Sequence, residues 1–234
     1  MNPSAPTVRL NHASKHYQPQ RDRSAGVHDI TFEARRGEMV LILGPSGSGK
    51  TTLLTLAAGL TEPTSGSVEL FGDDIRNLPE AELQGLRALH MGFVFQTFRL
   101  IEALTVEENV ALVRRLDRNR YSTSGENVVE LLERFGIAHL RKEFPRSLSQ
   151  GEKQRLAIAR ALANDPDLII ADEPTASLST DDSVEVIQTL HNAADSQGRC
   201  VLVATHDLRL KEYADRVIML CDGRVVGQAE PFCR

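Results

Sequence analysis

The stretch GPSGSGKTT at 44–52 sets Gly44, Gly49, Lys50 and Thr51 in the spacing G-x-x-x-x-G-K-T. Gly44, Gly47 and Gly49 permit backbone conformations and a close approach that a Cβ would block. Successive N–H groups of such a loop wrap a phosphate, and the field at a helix N-terminus adds to the attraction. Lys50 then reaches the outer phosphates of a nucleotide, and Thr51 offers a hydroxyl to Mg2+. The plain alternative is a glycine-rich turn before a helix. It is disfavoured because MVLIL (39–43) reads as a strand just before the motif and 50–59 as a helix just after it, which is the context this chemistry needs.

A second group of residues supplies what phosphate binding alone lacks. DLIIADEP (167–174) puts Asp172 and Glu173 at the carboxyl end of an apolar run, where ligands of open parallel sheets bind. Asp172 suits a contact to Mg2+ through water. Glu173 suits a general base that orients and polarises an attacking water. An Asp-Glu pair after a strand is ordinarily a helix cap or a solvated turn, but hydrolysis of a nucleotide requires both an acidic strand end and a phosphate loop. His206 follows CVLVAT (200–205), a strand predicted to lie beside the acidic one, and from there it can contact a γ-phosphate. Gln96 closes GFVFQ (92–96) and can face Mg2+ and the water. A lone His or Gln at a strand end is otherwise structural.

SLSQGEKQRLAIARAL (147–162) carries no histidine, cysteine or acid pair, yet Ser149 and Glu152 have capping-box spacing. A capped helix start with Gly151 beside it exposes N–H groups and a positive dipole end, which favours an anion. Two anion sites far apart in one chain suggest a nucleotide shared between two chains.

The surrounding pattern says what must hold these residues. Apolar runs at 39–43, 92–96, 168–172, 200–205 and 216–220 read as strands, several apolar on both faces, as in a parallel sheet covered by helices. Helical patterns fall at 50–59, 79–88, 105–116, 125–135, 150–163 and 181–196, and the alternation implies an α/β fold. Segments 7–17, 27–34 and 66–71 alternate more strongly and read as an antiparallel β layer; 98–160 is mostly helical, and 18–26 reads as a mobile loop. The 234 residues, 41% hydrophobic and 25% charged, allow a substantial core. A net charge of −5 and the absence of Trp argue against a nucleic-acid surface. Cys200, Cys221 and Cys233 fit neither a disulfide framework nor a zinc site, and no run reaches the length of a signal peptide core or membrane span.

GPSGSGKTT, Gln96, LSQGEKQR, LIIADE and His206 occur in the order found in ATP-binding-cassette (ABC) ATPases, and the resemblance covers nearly the whole chain. It implies a single nucleotide-binding domain over 1–234: a RecA-like P-loop NTPase core with an N-terminal antiparallel β layer and a helical subdomain inserted at about 97–160. It implies that ATP is held by Gly44, Pro45, Ser46, Gly47, Ser48, Gly49, Lys50, Thr51 and Thr52, with adenine stacked on Tyr17. Mg2+ falls to Thr51, Gln96 and Asp172, and catalysis to Glu173, His206, Gln96 and Lys50. In that family two cassettes meet head to tail, so Ser149, Gly151 and Glu152 of one copy close on the ATP of the other. The expected partners are a second copy and a separate membrane permease docking near 97–150, which makes the chain cytoplasmic and peripheral to the membrane; no nucleic acid is expected.

Three positions depart from the commoner family pattern, one of them Glu152, a familiar variant that stands where a Gln is commoner. Gln150 stands where a Gly is commoner, and Ser179, in ASLST, stands where an Asp usually crosses the dimer interface. Ser179 keeps a hydrogen-bonding oxygen and loses the charge, with Asp181 and Asp182 as nearby substitutes. Within the family the chain looks most like cassettes of lipoprotein-releasing and macrolide-exporter type. A cell-division cassette is a close rival, and a soluble clamp on nucleic acid or a small-molecule kinase is more distant.

Overall fold

The structure, a computed structural model, describes residues 5–17, 26–115, 127–176 and 178–229. The segment expected to be mobile lies outside these residues apart from Gly26, as does Cys233. The chain runs β1 (Val8–His16), β2 (Gly26–Ala34), β3 (Met39–Leu43), α1 (Lys50–Ala57), β4 (Ser65–Leu70), β5 (Asp73–Asp74), α2 (Glu80–His90) and β6 (Met91–Val94). It continues with α3 (Val106–Arg114), α4 (Val128–Arg134), α5 (Gln150–Leu162), β7 (Leu168–Asp172), α6 (Thr180–Asp195), β8 (Cys200–Thr205), β9 (Arg216–Cys221) and β10 (Arg224–Ala229). The alternation read from the sequence is present, and between β6 and β7 the described residues hold helices and no strand.

Continuous apolar runs become central strands because both their faces are covered. The larger sheet has the order β10-β9-β3-β8-β7-β6, parallel from β9 to β6, with β10 antiparallel at one edge. Along β3, Met39, Leu41 and Leu43 enter one apolar cluster while Val40 and Ile42 enter the other. The same split divides Ile169 and Ala171 from Leu168 and Ile170 on β7. The first cluster is closed by α3, α4, α5 and α6. The second is closed by α1, Leu83 of α2 and the inner face of the antiparallel sheet β2-β1-β4-β5, which supplies Val8, Leu10, Val27, Ile30 and Phe32. Cys200 is buried in it, and burial pushes its thiol pKa up.

The strand expected at 92–96 stops at Val94, because Phe95 enters a turn in which its carbonyl accepts from Phe98 N–H at 2.9 Å. Gln96 therefore stands beyond the sheet edge rather than in it. β6 lies so close to α5 that a Cβ added at Gly92 would sit 2.2 Å from the Ala161 carbonyl oxygen. Only a residue without a side chain permits that approach. On α2, by contrast, Gly85 faces open space.

Two glycine-to-alanine changes should therefore move stability in opposite directions in urea unfolding. Gly92→Ala is expected to cost about 1–3 kcal/mol or more by forcing β6 off α5. Gly85→Ala is expected to add roughly 0.4–1 kcal/mol by restricting the unfolded chain and favouring helix.

Candidate active site

Parallel register fixes the site. Leu43 pairs with Thr205, Ala204 with Asp172, and Ala171 with Val94, so β3, β8, β7 and β6 end along one edge. The next residues off that edge are Gly44, His206, Glu173 and the turn holding Gln96. The adjacency of the His206 and Glu173 strands, expected from the sequence, is the β7–β8 ladder.

Lys50 opens α1 and its side chain folds back over the loop. Its Nζ donates to the carbonyls of Gly44 at 2.8 Å and Pro45 at 3.2 Å, and lies 3.3 Å from Oε1 of Glu173. Oε2 of Glu173 is 2.9 Å from Nδ1 of His206. The side chains of Lys50 and Glu173 are 7% and 10% exposed, whereas that of His206 is 60% exposed. Glu173 itself has φ 48°, with its N–H donating to Ala204 O at 2.8 Å. A left-handed non-glycine residue costs about 1–3 kcal/mol and persists where surrounding contacts fix it. Here β8 and the two side-chain partners do so. Because a Lys–Glu pair in this setting gains little over its desolvation cost, an anion arriving at Lys50 can displace the glutamate.

Thr51 donates from Oγ1 to Oδ2 of Asp172 at 2.7 Å, while Oδ1 of Asp172 is buried and has no protein partner. Burial pushes the Asp172 pKa up; the Thr51 hydrogen bond opposes this and the neighbouring Glu173 charge adds to it. A hydroxyl, an orphaned carboxylate oxygen and a nearby Gln are the hard oxygen donors that fit Mg2+. Gln96 lines the same cleft as Thr51 and Asp172, a space of about 260 Å³ that continues into Leu54, Leu60, Phe93 and Phe95.

The phosphate loop is anchored on its far side. Pro45, Ser46, Gly47 and Thr51 are exposed, Thr52 is half-buried, and Ser48 Oγ is buried without a partner. Gly49, at φ 99°, is pressed against β2, where a Cβ would lie 2.6 Å from Gly26 O. Gly26 pairs with His16, and Tyr17 follows at once, 46% exposed, with Lys15 Nζ 5.9 Å from its ring centroid. An exposed aromatic thus stands one residue past the strand pair that touches the loop.

The helix start at 147–152 lies apart from this cluster. Ser149 caps α5: its Oγ accepts from Glu152 N–H at 3.3 Å and donates to the Glu152 carboxylate at 2.8 Å, which in turn accepts from Ser149 N–H at 2.7 Å. The Ser149 hydrogen bonds, backbone first, pull the Glu152 pKa down. Among the described residues no hydrogen bond or ion pair joins 149–152 to 44–52, and Gly151 lines a different, small cavity with Arg155 and Asp182. Gln150 is simply the first residue of the helix. Ser179 caps α6, accepting from Asp182 N–H at 3.2 Å and donating to Asp182 Oδ2 at 2.7 Å. Asp182 is also 3.7 Å from Arg155, so it links α6 to α5. Neither Arg155 nor the contact of Lys50 with Glu173 carries a signal in the sequence. Both depend on side chains that meet only after folding.

A family profile described as ABC transporter matches residues 27–176. The lipoprotein-releasing system ATP-binding protein LolD 1 of Rhodopseudomonas palustris is 39% identical over 202 residues, covering 86% of this chain and 89% of that protein. The putative hemin import ATP-binding protein HrtA of Staphylococcus haemolyticus is 37% identical over 218 residues, 93% and 98% of the two chains. Among solved structures, the dimeric post-hydrolysis state of the ATP-binding cassette MJ0796, bound to ADP and Pi, is similar with a TM-score of 0.87 and 35% identity, covering 97% of this chain and all of that one.

The raised Asp172 pKa carries a testable sign. A carboxyl whose folded pKa exceeds its unfolded value destabilises the fold at any pH above both. Asp172→Asn is therefore expected to raise the melting temperature of the metal-free, nucleotide-free chain at neutral pH while weakening Mg2+-dependent turnover, read by calorimetry and phosphate release.

Proposed function

The chain belongs to the ABC transporter family, whose ATP-binding subunits hydrolyse ATP, and from that premise we propose that two copies sandwich each nucleotide to drive a separate membrane permease. The observation that carries this reading is the contact chain Lys50–Glu173–His206 beside Thr51 and Asp172, with Ser149 held elsewhere on the same chain. One chain then has a phosphate loop and a base but lacks a cap for the γ-phosphate. The dimeric state of the similar MJ0796 cassette supports a second copy as the source of that cap.

ATP lies along 44–52 with its adenine on Tyr17, a ring exposed enough to take a base on one face. Thr51, Gln96 and Asp172 would hold Mg2+, which would supply positive charge to offset that of the phosphates. Lys50 turns from Glu173 to the γ-phosphate. Freed of its cation, Glu173 accepts a proton from the water whose oxygen attacks phosphorus as the bond to ADP breaks. His206 holds the Glu173 carboxylate in place and reaches the γ-phosphate from its exposed side. Ser149 and the Gly151 amide of the second copy neutralise the remaining charge. In doing so Ser149 exchanges the Glu152 carboxylate for phosphate. Closure follows from contacts that exist only with ATP between the copies, and hydrolysis removes them.

A helix of the permease seats in the cleft beside Gln96. Its support is apolar surface at that cleft: Leu60 is 45% exposed and Phe93 and Phe95 line the wall, with Ile101, 41% exposed, a few residues further on. In this reading the described helices between β6 and β7 form the unit that moves with it. Among the described residues no helix is long and apolar enough to cross a membrane. The relative named for lipoprotein release supports a release or export role, and the relative named for hemin import does not.

Glu173→Gln separates binding from chemistry. It is expected to retain ATP, to shift the chain to a dimer in ATP by light scattering, and to slow turnover by about 100-fold or more. Ordinary steady-state turnover in this variant would overturn the base assignment.

A further inference from the structure

Arg160, on α5, has no part in the chemistry above. Its Nη1 donates to Arg99 O at 2.5 Å and its Nη2 to Phe98 O at 2.7 Å. These two carbonyls belong to consecutive left-handed non-glycine residues, Phe98 at φ 58° and Arg99 at φ 48°. Each such residue is strained and needs outside contacts to persist. The turn they close starts at Phe95 and contains Gln96: Phe98 N–H donates to Phe95 O at 2.9 Å and Arg99 N–H to Thr97 O at 2.6 Å. Phe95 is held in turn by a parallel stack on Phe93, 5.8 Å between centroids, and by the Arg99 guanidinium 4.8 Å above its ring. Burial pulls the Arg160 pKa down, because its charge is partly removed from water.

We infer that Arg160 is a positioning residue: its forked guanidinium holds the strained Phe95–Arg99 turn and thereby sets where Gln96 points. The arrangement has a rigid base. Next to Arg160 along α5, Ala161 meets Gly92 of β6 at backbone contact distance, so helix and strand cannot slide independently. Ser149 caps the same helix roughly 16 Å away along its axis. Gln96 at a chain's own nucleotide and Ser149 at its partner's are thus attached to one lever. This inference rests on the metal role proposed for Gln96.

The test is steady-state phosphate release by the full chain at saturating ATP with Mg2+ titrated, using Arg160→Met, Arg160→Lys, Gln96→Ala and the double variant Arg160→Met/Gln96→Ala. Arg160→Met is expected to lower kcat about 10- to 100-fold, the scale of a misplaced catalytic group, and to raise the Mg2+ concentration for half-activity. Arg160→Lys should fall between, since one ammonium does not span both carbonyls as a fork does. The double variant should be no slower than Gln96→Ala alone, because both changes remove one function. A multiplicative loss in the double variant would overturn the inference. So would an Arg160→Met protein with a lower melting temperature but unchanged kcat and Mg2+ dependence. If Gln96→Ala itself changes neither quantity, the metal role of Gln96 falls and the inference falls with it; loss in Gln96→Ala beside full activity in Arg160→Met overturns the inference alone.

Discussion

Everything at this site follows from the need to keep unlike charges together at the dry end of a parallel sheet. β3, β7 and β8 stop in register, and each hands a polar group to the same small volume. Asp172 is placed there against its own preference, as its raised pKa records. Glu173 is tolerated because Lys50 and His206 flank it. The two apolar clusters, one on each face, supply the burial that makes these charges interact strongly and holds their strands in step. Lys50, Glu173 and His206 are therefore already paired with one another. In the proposed cycle ATP works by exchanging partners: phosphate replaces Glu173 on Lys50 and replaces Glu152 on Ser149.

In that proposed cycle a capping box can also serve as a site. The carboxylate of Glu152 satisfies the Ser149 hydroxyl and N–H, and those hydrogen bonds pull its pKa down. The same economy operates at α6, where Ser179 spends its hydroxyl on Asp182. An Asp at 179 would cap the helix as well, so capping does not account for the missing charge. What Asp182 does instead is join Arg155 of α5, an intrachain link between the two helix starts.

The catalytic edge was legible in the sequence because its parts are local. MVLIL, LIIAD and CVLVAT are unbroken apolar runs whose ends are marked by GPSGSGKTT, Glu173 and His206, and the strands formed on the residues expected. Ser149 and Glu152 declared their cap by spacing; Thr105 with Glu108 and Asn127 with Glu130 have the same spacing and form the same boxes, a signal present but unread. β6 ends two residues before the sequence implies because Phe98 and Arg99 adopt left-handed backbone without a glycine to announce it. Arg160 is invisible for the related reason that its partners are carbonyls, which every residue carries. β10 was missed since an edge strand exposed on one face lacks the continuous apolar run used to find its neighbours; Val226 on it is 65% exposed.

Whether one nucleotide is shared by two copies can be measured by mixing two inactive proteins. Lys50→Ala disables the phosphate loop and Ser149→Arg the opposed helix start, so each pure variant should be nearly inactive. A mixed dimer retains one intact loop facing one intact helix start. Sharing predicts that the mixture recovers phosphate release from that single composite site, rising with protein concentration. A mixture no more active than the average of its two components, at every concentration and ratio, would contradict it.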